Sequence, residues 1–185
     1  MALIQSISGI RGTIGGKYKE NLTPRDIVES VSAFGQWIID RQLPKKVVIG
    51  RDARISGELV AQLTIQTLRA MGISVVDLGL STTPTVEMAV PAEKAGAGIV
   101  LTASHNPKEW NALKLLNSAG EFISGEEGAI LLDLIAEGNI NYVGVDELGT
   151  CTTATDALDR HINEILKHPL VNVAAIQNAA FNIVL

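Results

Sequence analysis

Gly98-Ile99-Val100-Leu101-Thr102-Ala103-Ser104-His105-Asn106-Pro107 is the stretch whose reading decides the fold. The aliphatic run from Ala97 to Leu101 is short for a helix and opens at once into a small-polar turn, with Ser104 and His105 at its crest. A wholly apolar run bounded by turn residues reads as a strand buried on both faces. Two similar runs precede it, Lys46-Val47-Val48-Ile49-Gly50 and Gly72-Ile73-Ser74-Val75-Val76-Asp77.

Helical patterns lie between these runs. Thr23-Pro24 supplies an N-cap and a first-position proline ahead of Ile27, Val31, Phe34 and Ile38. Ser56 is placed as the cap of a second helix with Leu59, Val60, Leu63, Leu68 and Met71 as its stripe. Thr83-Pro84 opens a third that runs through Val86 and Val90. The order β-α-β-α-β argues for a layered α/β domain with parallel strands and right-handed crossovers. Ala112–Leu116 is expected as a further strand pairing antiparallel with the one before the serine turn, and residues 2–9 as one more. The fold class is therefore a three-layer α/β/α domain with a mixed, mainly parallel sheet. Ser124-Gly125-Glu126-Glu127 forms a capping box in front of Ile130, Leu131, Leu134 and Ile135. The polar stretch from Gly138 to Thr155 reads as an irregular connection. Asp156–Lys167 reads as a last helix with Leu158, Ile162 and Ile165 inward, and Phe181-Asn182-Ile183-Val184-Leu185 as the start of a buried strand.

Composition narrows the function classes. The 185 residues carry 46% hydrophobic but only 4% aromatic residues, the aliphatic filling of a sheet packed between helices. A formal charge of −5 with interspersed Lys and Arg gives no footprint for nucleic acid. One cysteine, Cys151, forms no disulfide within the chain and fits a reducing compartment. The apolar runs fall short of the roughly 18 residues of a membrane span, and Met1-Ala2-Leu3-Ile4 leads straight into polar residues rather than a secretory core. A cytoplasmic protein with neither membrane nor nucleic-acid partners is expected.

Three loops carry the residues suited to chemistry: Ser8-Gly9-Ile10-Arg11-Gly12-Thr13, Gly50-Arg51-Asp52-Ala53-Arg54-Ile55-Ser56-Gly57, and Thr102–Lys108. The last two follow parallel strands, so they share the carboxyl rim of the sheet, where open α/β sheets bind ligands. Arginine offers a planar fork that matches phosphate oxygens. Glycines let backbone N–H groups approach an anion. Lys114, ten residues beyond Ser104, returns toward the serine loop on the next strand, where an ammonium can stabilise phosphoryl charge or move a proton. For Arg51, Asp52 and Arg54, an ion-paired scaffold and a substrate contact stand as alternatives. Arg11 can equally be a structural tether and Lys114 a solvated edge lysine. His161, His168 and Trp37 read as structural, Cys151 as an incidental thiol, and Trp110 as a ring able to shape the loop. A Ser–His hydrolase dyad does not fit, because neighbours in sequence rarely aim at each other and no Gly-x-Ser-x-Gly elbow occurs.

Ser-Gly-Ile-Arg-Gly, Gly-Arg-Asp-Ala-Arg-Ile-Ser-Gly, Thr-Ala-Ser-His-Asn-Pro and Asn-Ala-Leu-Lys follow one another in that order. This series resembles the first domain of the α-D-phosphohexomutases, the phosphoglucomutase/phosphomannomutase family. The resemblance implies that Ser104 is a phosphoserine whose phosphate helps to bind Mg²⁺, with the remaining metal ligands beyond residue 185. It implies that His105 and Asn106 lie beside the transferring phosphoryl group, that Arg11 reaches the substrate phosphate, and that Lys114 is the general acid/base. Residues 1–150 would be the N-terminal domain, and 151–185 a connecting helix with the first strand of a truncated second domain. The activity implied is the interconversion of hexose 1- and 6-phosphates through a bisphosphorylated sugar, with phosphoglucomutase/phosphomannomutase placed first. A phosphoglucosamine mutase domain or a non-catalytic phosphosugar-binding module are the alternatives. By itself, without the later domains, the piece is expected to be inactive. The sequence departs from the family pattern at Trp110 and at Asn111-Ala112, where Asn-Gly is usual.

Overall fold

A computed structural model describes residues 3–6 and 9–184. Its centre is one seven-stranded sheet of β1 (Leu3–Ser6), β2 (Gly9–Thr13), β3 (Lys46–Arg51), β4 (Ser74–Leu80), β5 (Ala97–Leu101), β6 (Trp110–Leu116) and β7 (Cys151–Thr153). In space the order is β1-β2-β6-β5-β3-β4-β7. The half built from β5, β3, β4 and β7 is parallel, and the half from β1, β2, β6 and β5 is antiparallel. The sheet is thus mixed, and the three aliphatic runs lie side by side in its parallel half.

Helices α1 (Pro24–Asp40), α2 (Gly57–Ala70) and α4 (Gly125–Glu137) cover one face, and α3 (Thr83–Ala92) and α5 (Ala157–Lys167) the other. Alternation along β3 sends Val47 and Ile49 into the core under α1 and α2, and Val48 into the core under α3. That is why its middle, Val47-Val48-Ile49, is aliphatic. The α1 terminus is a capping box: the Thr23 side chain accepts from the Asp26 N–H, while the Thr23 N–H donates to Asp26 at 3.1 Å. Ser124 and Glu127 do the same for α4, which ends at Gly138 in the left-handed conformation.

Several expectations give way to tertiary context. Gly9–Thr13 is a strand rather than a loop, because β1 and β6 pair with it on both sides. Residues 2, 7 and 8 of the proposed first strand and loop lie outside the described residues. The Ser56 side chain makes no capping bond and instead receives the Asn111 amide at 3.0 Å. Leu59 is half exposed, and Val60, Ala61, Thr64, Ile65 and Leu68 form the buried stripe of α2. Helix α3 does open on Thr83-Pro84, with Thr82 as its N-cap. The stretch expected to be an irregular connection contains β7, which adds to the free edge of β4. Leu158, Ile162 and Ile165 of α5 stay half exposed, and Ala157 is the residue it buries. A short helix α6 (Val173–Ala179) precedes residues 181–184, which form no strand and are exposed; Leu185 lies outside the described residues. Among the described residues no helix is long and apolar enough to cross a membrane.

Candidate functional site

The serine turn leaves the carboxyl end of β5 beside the loop that leaves β3, since Arg51 and Leu101 are register partners. The two loops are joined through a partly buried polar chain. Thr102 Oγ1 donates to Asp52 Oδ2 at 2.7 Å and accepts the Ser104 N–H at 3.1 Å. Asp52 Oδ1 receives the Arg54 N–H at 3.0 Å, and its Oδ2 receives Arg54 Nε at 3.1 Å. The Arg54 guanidinium then crosses to the serine loop and donates to the carbonyls of Ser104 (2.8 Å), Asn106 (2.7 Å), Pro107 (2.7 Å) and Trp110 (3.1 Å). For Asp52 and Arg54 the scaffold alternative is therefore the observed one. Arg51 donates to the Asp52 carbonyl at 3.3 Å.

Ser104 has φ +54°, a left-handed conformation for a residue with a Cβ. Such a conformation costs about 1–2 kcal/mol and persists where the surroundings over-determine it. Here its N–H and its carbonyl are both fixed, and the side chain is exposed at the crest together with His105. Asn106 is half-buried and closes the turn, its N–H donating to the Ala103 carbonyl at 3.0 Å.

Arg11 and Lys114 occupy a second piece of the site. Ile10, Leu113 and Leu115 point into the core under α1, so Arg11, Ala112 and Lys114, alternating with them, face the other way. There they line a groove of about 280 Å³ with Ser6, Gly9 and Phe122. Arg11 is exposed, and Lys114 is half-buried with its Nζ 6.0 Å from the centre of the Phe122 ring. Groove and loop meet at one rim: Thr13 pairs with Trp110, the Ile14 N–H donates to the Glu109 carbonyl at 2.8 Å, and the Thr102 N–H to the Ala112 carbonyl at 3.2 Å. The structure thus groups Arg11 with Lys114 in the groove, and Ser104, His105 and Asn106 on the adjoining loop. Thr102 opens the loop and motif read from the sequence, but its role in joining the two loops had no signal there, and Phe122 had none, since a lone aromatic is indistinguishable from a packing residue.

Among the described residues no group of three or more His, Cys, Asp or Glu side chains lies together to hold a metal ion. Asp52, the carboxylate tied to the loop, is already engaged by Arg54 and Thr102. The described residues thus offer no ready-made carboxylate cluster for Mg²⁺.

The arrangement is a rigid loop that presents a hydroxyl beside a cationic groove. A family model described as phosphoglucomutase/phosphomannomutase, alpha/beta/alpha domain I, matches residues 3–140. The chain belongs to the phosphoglucomutase/phosphomannomutase family. Within that family, a probable phosphoglucosamine mutase of Methanosphaera stadtmanae is 34% identical over 171 residues, which cover 91% of this chain and 37% of the relative. A phosphoglucomutase/phosphomannomutase of Thermococcus kodakarensis is 35% identical over 142 residues, 75% of this chain and 31% of the relative. The crystal structure of a putative phosphomannomutase from Thermus thermophilus superposes with a TM-score of 0.70 at 28% identity, over 84% of this chain and 34% of that one. The chain spans about a third of the length of the relatives it matches.

Proposed function

We propose that this chain is the phosphoserine-bearing domain of a phosphohexomutase, acting with further domains of a longer protein. The observation that carries the proposal is the exposed Ser104, held with left-handed backbone at the crest of a clamped loop in this family's first domain. In this reading the phosphorylated Ser104 gives its phosphoryl group to a hydroxyl of a hexose monophosphate. The P–O bond to serine breaks, a P–O bond to the sugar forms, and the sugar hydroxyl loses its proton. The bisphosphate turns over, and its other phosphoryl group returns to Ser104. Arg11 supplies a permanent cationic fork for the phosphate that is not being transferred. Lys114 passes the proton of the sugar hydroxyl to the departing Ser104 oxygen and back again when the phosphoryl group returns, and His105 and Asn106 flank the phosphoryl group. Catalysis of this type rests on positioning and charge stabilisation. Mg²⁺ binding would draw on the Ser104 phosphate and on ligands outside this chain.

For the sugar, the relatives support the alternative better than the reading placed first. Proteins named probable phosphoglucosamine mutase from Methanosphaera stadtmanae, Methanopyrus kandleri and Thermococcus kodakarensis are 34%, 35% and 34% identical to this chain. Phosphoglucosamine is thus the preferred substrate class, with glucose and mannose phosphates second on the 35% identical Thermococcus protein. The test is interconversion of glucosamine, glucose and mannose phosphates by the full-length protein and by its Ser104→Ala variant. Loss of at least about a thousandfold in kcat on substitution is expected, the order of magnitude for removing a covalent group. Full activity in Ser104→Ala would sink the mutase proposal, and phosphosugar binding without turnover by the wild type would leave a binding module.

A further inference from the structure

A guanidinium has five N–H donors and no acceptor. In Arg54 every one is occupied: Nε by Asp52 Oδ2, Nη1 by the carbonyls of Pro107 and Trp110, and Nη2 by those of Ser104 and Asn106. No donor is left for a phosphate oxygen, and the side chain is only 11% exposed. The four carbonyls belong to the serine loop and to Trp110 at the start of β6, about fifty positions away in sequence, and they converge because β3 and β5 are parallel neighbours.

From this we infer that Arg54 is the positioning residue of the serine loop: it sets the place and the left-handed backbone of Ser104 without touching the substrate. The inference rests on the proposed phosphoryl transfer at Ser104. Its physical basis is the planar fork, which reaches four carbonyls in fixed directions. A lysine ammonium has the charge but only three donors on one tetrahedral atom, and cannot span them. Asp52 orients the fork and is itself held by Thr102, whose hydroxyl also takes the Ser104 N–H. Both peptide groups flanking the Ser104 Cα are therefore tied, directly or through Asp52 and Thr102, to the same guanidinium. Because the contacts are to main chain, the clamp holds in the same way whether or not Ser104 carries a phosphate.

The test is Arg54→Lys in the full-length protein, with two readouts. Amide hydrogen exchange should accelerate at least tenfold at Ser104, Asn106 and Trp110, while Ile49 in β3 and Ile99 in β5 keep their protection. Turnover should fall about a hundredfold with KM nearly unchanged, since a displacement near 1 Å is enough for that loss. Arg54→Ala should behave alike and regain part of its kcat in added guanidinium. Should the alanine variant not fold, the lysine variant decides alone. A raised KM at unchanged kcat would make Arg54 a phosphate contact and overturn the assignment. Wild-type turnover in Arg54→Lys, unchanged loop exchange, or loss of core protection along with the loop would each overturn it as well. Exchange reports on the clamp even if the wild type interconverts no hexose phosphate. Failure of the clamp and failure of the mutase reading are thus seen separately.

Discussion

Thr102→Val removes one oxygen from the joint between the two loops and keeps the shape of the side chain. The hydroxyl, on a residue 9% exposed, gives its proton to the Asp52 carboxylate at 2.7 Å and accepts the Ser104 N–H at 3.1 Å. A hydrogen bond to a charged group contributes about 1.5–3 kcal/mol and a neutral one about 1 kcal/mol. The Asp52 side chain is 31% exposed, and it keeps two bonds from Arg54, so water and Arg54 offset part of the loss. The expected destabilisation is about 2 kcal/mol, which for a chain of this length lowers Tm by about 4–8 °C. Thermal and urea unfolding followed by circular dichroism measure it, with Thr102→Ser as the variant that retains both bonds. A double-mutant cycle with Asp52→Asn should give a coupling of about 1 kcal/mol, because the two side chains are in direct contact. Additive effects, or a valine variant within about 0.5 kcal/mol of wild type, would refute the view that Thr102 ties the serine loop to β3.

Two further outcomes test the sheet. A Cβ added at Gly98 of β5 would sit 2.5 Å from Val90 Cγ2 and 3.1 Å from Leu116 Cδ1. Gly98→Ala should then destabilise by about 1–3 kcal/mol through overpacking under α3, where a β-branched valine on a helix has little rotamer freedom; unfolding midpoints at or above wild type would contradict the packing. Burial, followed by the nearby Asp77 carboxylate, pushes the Cys151 thiol above its ordinary value although the residue lies at the surface. Iodoacetamide should therefore label it more slowly than a free cysteine at a pH of about 8.5, the ordinary thiol pKa, and Asp77→Asn should speed the labelling; a rate equal to free cysteine would show that β7 does not sit against β4.

What the sequence made legible follows from burial. The β3, β4 and β5 strands lie in the middle of the sheet with helices on both faces, so their composition is aliphatic regardless of neighbours. Thr23-Pro24 and Ser124-Gly125-Glu126-Glu127 were readable because a capping box is a local hydrogen-bond arrangement. Gly9–Thr13 and Cys151–Thr153 were not, since glycine-rich or exposed three-residue strands are made by the edge they join. The inward stripe assigned to α5 failed for a related reason: amphipathicity gives a face, but α3, packed against it, covers only part of it. The site divides in the same way. Ser104, His105, Arg11 and Lys114 could be named as candidates from residue type and order. For Arg54 the ion-paired scaffold was one of the two readings open, and its pair with Asp52 fits that reading; its grip on the serine loop left no sign, because those partners are main-chain carbonyls, and a carbonyl leaves no trace in the sequence that bears it. A loop whose shape is fixed through its backbone can change side chains at Asn106, Pro107 or Trp110 and keep its form, provided one arginine about fifty positions earlier stays in place. The conformational constraint on Ser104 is therefore encoded mainly at Arg54, Asp52 and Thr102, outside the crest that presents the hydroxyl.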